Sequence, residues 1–406
     1  LEDSGYMARA AFVMDRLMQA LGLPGKSFVP LIVGFGCNVP SVMGARTLDA
    51  PRERLMTIMM APFMSCGARL AIFAVFAAAF FGQQGALAVF SLYVLGIVMA
   101  ILTGLMLKHT IMRGEASPFV MELPVYHVPH LKSLVIQTWQ RLKGFVLRAG
   151  KVIVIVSVFL SALNSFTLSG QAADNINDSA LASVSRVITP VFKPIGVHED
   201  NWQATVGLFT GAMAKEVVVG TLNTLYTAEN IQEQEFDPAA FHLGHELLGA
   251  VEETWQSLKD TFSLSVLANP IEASKGDGEM ATGAMGVMSE KFGSASAAYS
   301  YLIFVLLYIP CISVMGAIAR ESSRGWMGFS ILWGLNIAYS LATLFYQTVN
   351  FSQHPRYSLV CILAVVLFNV IVLGLLRRAR SRIDIDLLAK RKTAATCCNS
   401  PAGDCH

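Results

Sequence analysis

Long apolar blocks decide what this chain can become. Gly85–Lys108, Val152–Phe166, Ala297–Ala319, Gly328–Tyr346 and Leu359–Leu376 are each nearly free of charge, and their lengths approach the ~20 residues that cross a bilayer core. With no water at that depth to satisfy backbone groups, such blocks fold as helices. The expected class is therefore an all-α polytopic integral membrane protein, with the lipid bilayer as its first partner. Composition agrees: 54% of residues are hydrophobic and 14% charged, against about 25% charged in soluble domains. A net charge of +2 gives no reason to expect nucleic acid. The chain opens on Leu1-Glu2-Asp3-Ser4 without Met, basic n-region or apolar h-region, so it reads as a fragment whose upstream part is missing. Cys37, Cys66, Cys311 and Cys361 lie in apolar stretches, where reduced thiols are expected rather than bridges.

The organisation follows from charge and from helix breakers. Residues 1–27 form an interfacial amphipathic helix: Tyr6, Met7, Ala10, Ala11, Met14, Leu17, Met18 and Leu21 recur at helical spacing around Arg9, Asp15 and Arg16, up to Pro24-Gly25. Residues 28–108 form a first membrane half. It begins with Phe28–Thr47, which Pro30, Gly34, Gly36, Pro40 and Gly44 interrupt too often for a plain spanning helix, so a broken or re-entrant segment is expected. Arg54–Phe81 and Gly85–Lys108 then read as a spanning pair. Residues 109–151 are a basic loop with a surface helix, placed in the cytoplasm by the positive-inside rule. Residues 152–226 hold a spanning helix and a second broken segment, Trp202–Tyr226. If that segment dips and returns, the acidic loop 227–296 lies outside, while Arg320, Arg324 and the tail 377–406 lie inside. The last spanning helices occupy 297–376. The whole gives about seven spanning helices, with the two broken segments related as a candidate inverted repeat.

Two motifs carry chemistry. Gly34-Phe35-Gly36-Cys37-Asn38-Val39-Pro40-Ser41 sets a soft sulfur and a neutral oxygen among glycines, whose unwound carbonyls can serve as ligands. Pro62-Phe63-Met64-Ser65-Cys66-Gly67-Ala68-Arg69 repeats the juxtaposition and adds the Met64 thioether and the Ser65 hydroxyl. Thiol, thioether and carbonyl suit a late first-row or borderline metal and suit Mg²⁺ poorly. The plain alternative is that membrane cysteines are small buried hydrophobes.

GFGCNVPSVMGART (residues 34–47) and MAPFMSCGARL (60–70) are similar to the paired Gate motifs of the FeoB family of GTP-regulated ferrous iron permeases. GAMAKEVVVGTL (211–222) and PCISVMGAIARES (310–322) resemble that family's second Gate region, so 28–108 and the later membrane residues read as two Gate-type halves. The resemblance implies Fe²⁺ as the transported ion across a bacterial inner membrane, with Cys37, Cys66 and Cys311 as translocation residues, joined by Asn38, Met64 and Ser65. It implies no cofactor bound by this segment and no catalysis in it. GTP and Mg²⁺ belong to an N-terminal G domain that this chain lacks. Small cytoplasmic accessory proteins are implied as partners, the C-terminus is cytoplasmic, and self-association into a homo-oligomer is left open. Cys397, Cys398, Cys405 and His406 resemble the tails of enterobacterial members and form a second candidate metal group.

Lys215-Glu216 in the middle of Trp202–Tyr226 and Arg69 in the second motif are intramembrane charges, which by default mark a pathway or gate; a neutralising packing pair is the plain alternative for the first. Gly22-Leu23-Pro24-Gly25-Lys26-Ser27 imitates the end of a phosphate loop, but Ala20 stands where the pattern needs Gly and an amphipathic helix stands where it needs a strand. His242 and His245-Glu246 fail the zinc-protease pattern at Gly249. His127 and His130 have metal-like spacing on a loop of solvated side chains. Two other readings stand beside ferrous iron transport: a Gate-type permease for nucleosides or other organic solutes, which shares the broken-helix logic, and, from a different class, a membrane metal sensor or assembly scaffold that transports nothing.

Overall fold

The computed structural model describes residues 6–112, 179–230 apart from 214 and 216, 282–398, and a few isolated helical positions between 132 and 167; side chains at 228–230, 282–283 and 379–398 are left out of the description. Among the described residues there is no strand. Five helical stretches are long and apolar enough to cross a membrane: Pro51–Phe80, Gly82–Thr110, Ala295–Glu321, Arg324–Val349 and Pro355–Arg378. They take up the expected blocks except Val152–Phe166, which lies almost wholly outside the described residues, as do the basic loop 113–151 and the acidic loop 231–281.

The first helix, α1 (Tyr6–Leu21), ends where Gly22 turns left-handed at φ 80°, and Gly22 N–H and Leu23 N–H bond back to Gln19 and Met18. That Schellman-type stop precedes Pro24. The lookalike of a phosphate loop is a single 3₁₀ turn, Gly25–Ser27, between two helices. α1 buries Ala11, Met18 and Leu21 and exposes Phe12, Val13 and Leu17, the two-faced pattern of an interfacial helix.

The next helices come in broken pairs. α2 (Phe28–Val33) and α3 (Asn38–Gly44) are separated at residues 34–37. α4 (Pro51–Met60) passes through a 3₁₀ turn and an extended stretch before α5 (Gly67–Phe80) begins. α6 (Gly85–Thr110) is continuous and packs on both. Gly96 lets α6 approach the second break, since a Cβ there would stand 2.9 Å from the Phe63 carbonyl oxygen.

α7 (Ala180–Ile188) leads into α8 (Trp202–Met213) and α9 (Val217–Asn230), the halves of the later broken segment. α10 (Thr282–Phe292) is followed by α11 (Ala295–Leu307) and α12 (Ile312–Glu321), separated at Tyr308–Cys311. Thus Arg54–Phe81 and Ala297–Ala319, each read as one Pro-containing helix, are interrupted at Pro62 and Pro310. α13 (Arg324–Val349) and α14 (Pro355–Cys398) complete the bundle. α14 is peripheral: only 6% of its membrane window is buried. A polar clamp holds it to α13, in which Asn369 Nδ2 donates to Ser340 Oγ at 2.8 Å and Asn336 Nδ2 donates to Asn369 Oδ1 at 3.1 Å. Such interhelical bonds serve where lipid offers no hydrophobic drive for association.

The two halves meet in an aromatic knot. The Phe76 ring on α5 lies 5.5 Å from Phe292 on α10 and 5.3 Å from Tyr301 on α11. Farther along the bundle α12 packs on α3, and Arg46 after α3 pairs with Glu321 at the end of α12 at 2.5 Å.

Candidate functional site

The broken helices bring their interruptions together. Gly67 N–H donates to the Gly36 carbonyl at 3.2 Å, tying the first break to the second. Asn38 Nδ2 donates to the Met64 carbonyl at 3.3 Å. Gly34 permits this approach, because a Cβ there would stand 3.0 Å from Met64 Cβ. In the second half, Lys215 Nζ lies 5.0 Å from the centre of the Tyr308 ring. Gly211 on α8 faces the Tyr308 hydroxyl so closely that any Cβ would collide with it.

All three motif cysteines occupy the same local position. Cys37, Cys66 and Cys311 are the N-cap residues of α3, α5 and α12, each in extended or near-extended backbone and each without a side-chain cap hydrogen bond. None is in a disulfide; Cys66 and Cys311 are half-buried and Cys37 is exposed. The first-turn N–H groups of α5 and α12 point toward this end. A bare cation beside either start meets the positive end of a helix dipole, so it needs an electron-rich donor to be held.

Tyr308 joins the halves. It is 4% exposed, with Lys215 over its ring and Gly211 against its hydroxyl, and Arg69, Cys66 and Cys311 lie in its surroundings. Sequence reading passed it over; the visible signal was a tyrosine directly before the Ile309-Pro310-Cys311 break. Tyr93 on α6 plays a similar part in the first half, stacked on Phe35 at 6.2 Å and beside Ser65, Cys66 and Arg69.

Several carbonyl oxygens at the first two breaks accept hydrogen bonds within the protein. The Met64 carbonyl accepts from both Asn38 and Arg69, the Pro62 carbonyl accepts from Arg69, and the Gly36 and Cys66 carbonyls accept backbone N–H groups. Among the buried side-chain oxygens here, Asn38 Oδ1 has no hydrogen-bond partner, while Ser65 Oγ lies beside the Tyr93 hydroxyl. Because Nδ2 is committed to Met64, Asn38 turns its acceptor end away from that bond. Met64, 6% exposed, packs into the core.

Among the described residues no three His, Cys, Asp or Glu side chains converge as a metal cage. Lys215 is 3% exposed. Glu216, Cys405 and His406 lie outside the described residues, as do His127, His130, His242 and His245; Cys397 and Cys398 end α14 in a stretch without described side chains.

Comparison with known proteins agrees with this architecture. The family model described as "Nucleoside recognition", the Gate family, matches residues 1–80 and 146–324, and the model "Ferrous iron transport protein B C terminus" matches residues 89–141. The chain is 89% identical over its 406 residues to the "Fe(2+) transporter FeoB" of Salmonella typhimurium strain LT2 and covers 53% of that protein. It is 88% identical to the proteins of the same name from Escherichia coli K12 and Shigella flexneri, again covering 53% of each. The chain therefore spans about half the length of the curated relatives it matches. No solved structure matches.

Proposed function

The chain belongs to the FeoB family, as its Gate-type membrane region, and from that premise we propose that it is the path by which Fe²⁺ crosses a bacterial inner membrane. The observation that carries the reading is the placement of Cys37, Cys66 and Cys311 at three helix starts beside chain breaks. Sulfur and neutral oxygen donors suit a borderline divalent metal. A path of single-sulfur stations holds an ion weakly enough to release it, as conduction requires. Fe²⁺ passes between the cysteine sulfurs, with Asn38 Oδ1 and Ser65 Oγ completing the coordination near Cys66 and water filling the remainder. Tyr308 and Lys215 form the barrier between the halves.

Orientation follows from the basic ends. Lys108 caps the Ala20 carbonyl at 2.9 Å, Arg52 binds the Met112 carbonyl at 3.0 Å, and Arg46 reaches Glu321. These contacts gather the ends of α1, α6 and α12 at one face, to which Arg320 and Arg324 add charge; that face is cytoplasmic, and the C-terminus with it. The relatives' remaining length leaves room for a cytoplasmic GTPase domain that biases the Arg46–Glu321 end of the gate, and small accessory proteins and self-association act from the same side. The two break pairs, one holding Cys37 and Cys66 and the other Lys215 and Cys311, act as an inverted repeat.

A nucleoside permease is disfavoured by the sulfur-rich breaks, since a polar organic solute needs a larger set of converging hydrogen-bonding groups. The deciding experiment gives cells that lack other iron uptake the full-length protein and supplies radiolabelled Fe²⁺ or uridine under anaerobic, reducing conditions. Iron accumulation above the empty vector without uridine accumulation is expected. Uridine uptake with no iron uptake would sink the proposal.

A further inference from the structure

Arg69 is a fixed positive charge at the second break. Its side chain is 0% exposed, and it is among the largest fully buried side chains of the protein. Nη1 donates to the Pro62 carbonyl at 3.0 Å and the Met64 carbonyl at 2.9 Å. Nε and Nη2 have no hydrogen-bond partner. No ion pair among the described residues includes it. A guanidinium does not give up its proton in a protein, and a buried unpaired charge is costly. Its neighbours explain its position: it lies one helical turn from Cys66 on α5, and both residues border Tyr93 and Tyr308.

We infer that Arg69 is the release residue of the path, a positioning charge that holds the metal affinity at Cys66 low so that the ion moves on. This rests on the transport reading above. The buried guanidinium, one helical turn from Cys66 and tied to the Pro62 and Met64 carbonyls, repels a divalent cation held at that sulfur. Nη1 meanwhile keeps the Pro62 and Met64 carbonyls occupied, which limits the oxygens that could close around the ion and trap it. The competing structural account is that Arg69 only staples the break through those two carbonyls.

The test measures Co²⁺ binding to the purified full-length protein through cobalt–thiolate absorption, alongside the concentration dependence of Fe²⁺ uptake. Arg69→Gln, which retains an amide donor for the carbonyls, is expected to bind Co²⁺ at least tenfold more tightly, with lower KM and lower maximal rate. Arg69→Lys, which keeps the charge and loses the planar fork, is expected to keep wild-type affinity. Unchanged or weaker Co²⁺ binding in Arg69→Gln would overturn the inference in favour of the staple. Should Arg69→Gln not fold, a tenfold rise in affinity in Arg69→Lys would overturn it as well. Failure of the wild type to take up Fe²⁺ is a separate outcome, which would remove the transport reading itself.

Discussion

Phe76→Ala is expected to lower the stability of the detergent-purified protein by about 3–5 kcal/mol, the range for deleting a buried aromatic from a packed core. Phe76 is 1% exposed on α5 and stands in a ring cluster with Phe80, Phe292 and Tyr301 at centroid distances between 5.3 and 5.9 Å. Tyr301 in turn donates to the Ala204 carbonyl on α8 at 2.9 Å. A cavity at Phe76 therefore loosens α5 against α10 and α11 together and reaches the second half through Tyr301. Denaturation of the variant, with Leu367→Ala on the 61%-exposed face of α14 as comparison, should give a large loss for the first and almost none for the second. Equal losses would mean that the knot does not join the halves.

The membrane class and the first break were legible in the sequence because their causes are local. Apolar length announces a spanning helix, and the density of Gly and Pro between Phe28 and Thr47 leaves no continuous helix to draw. The other breaks were only half legible. Pro62 and Pro310 were visible, but a proline in a membrane helix can produce a kink instead of an unwound stretch. What opens the chain at Met64–Cys66 is tertiary: Gly67 N–H finds the Gly36 carbonyl, and Arg69 reaches back to Pro62 and Met64. Likewise Cys37, Cys66 and Cys311 were singled out as sulfurs near glycine and proline, while their common N-cap position depended on where each second half-helix starts. Tyr308 was missed because its meaning lies in its approach to Gly211 and Lys215, both distant in sequence. Conversely, Pro24-Gly25 looked like the stop of α1, and the stop is the left-handed Gly22.

Cys66→Ser is expected to cut Fe²⁺ uptake at least tenfold at matched membrane expression, equivalent to about 1.4 kcal/mol in the path. Serine preserves size and replaces a soft donor able to ionise with a neutral hydroxyl. At this position the change also leaves the ion facing the buried Arg69 guanidinium without a sulfur donor. Cys311→Ser should act in the same direction, since that sulfur is half-buried at the start of α12. Cys37 is exposed, where water can take over part of the coordination, so Cys37→Ser should reduce uptake less than either. The uptake assay under anaerobic conditions ranks the three. Wild-type rates in Cys66→Ser would return that residue to the class of small buried hydrophobes.

The central claim is that iron crosses on cysteine sulfur, and X-ray absorption at the iron edge of anaerobic, Fe²⁺-loaded full-length protein tests it most directly. The account predicts sulfur together with oxygen in the first coordination shell, with the sulfur contribution reduced in Cys66→Ser. A shell of oxygen and nitrogen alone, unchanged by that substitution, would contradict it.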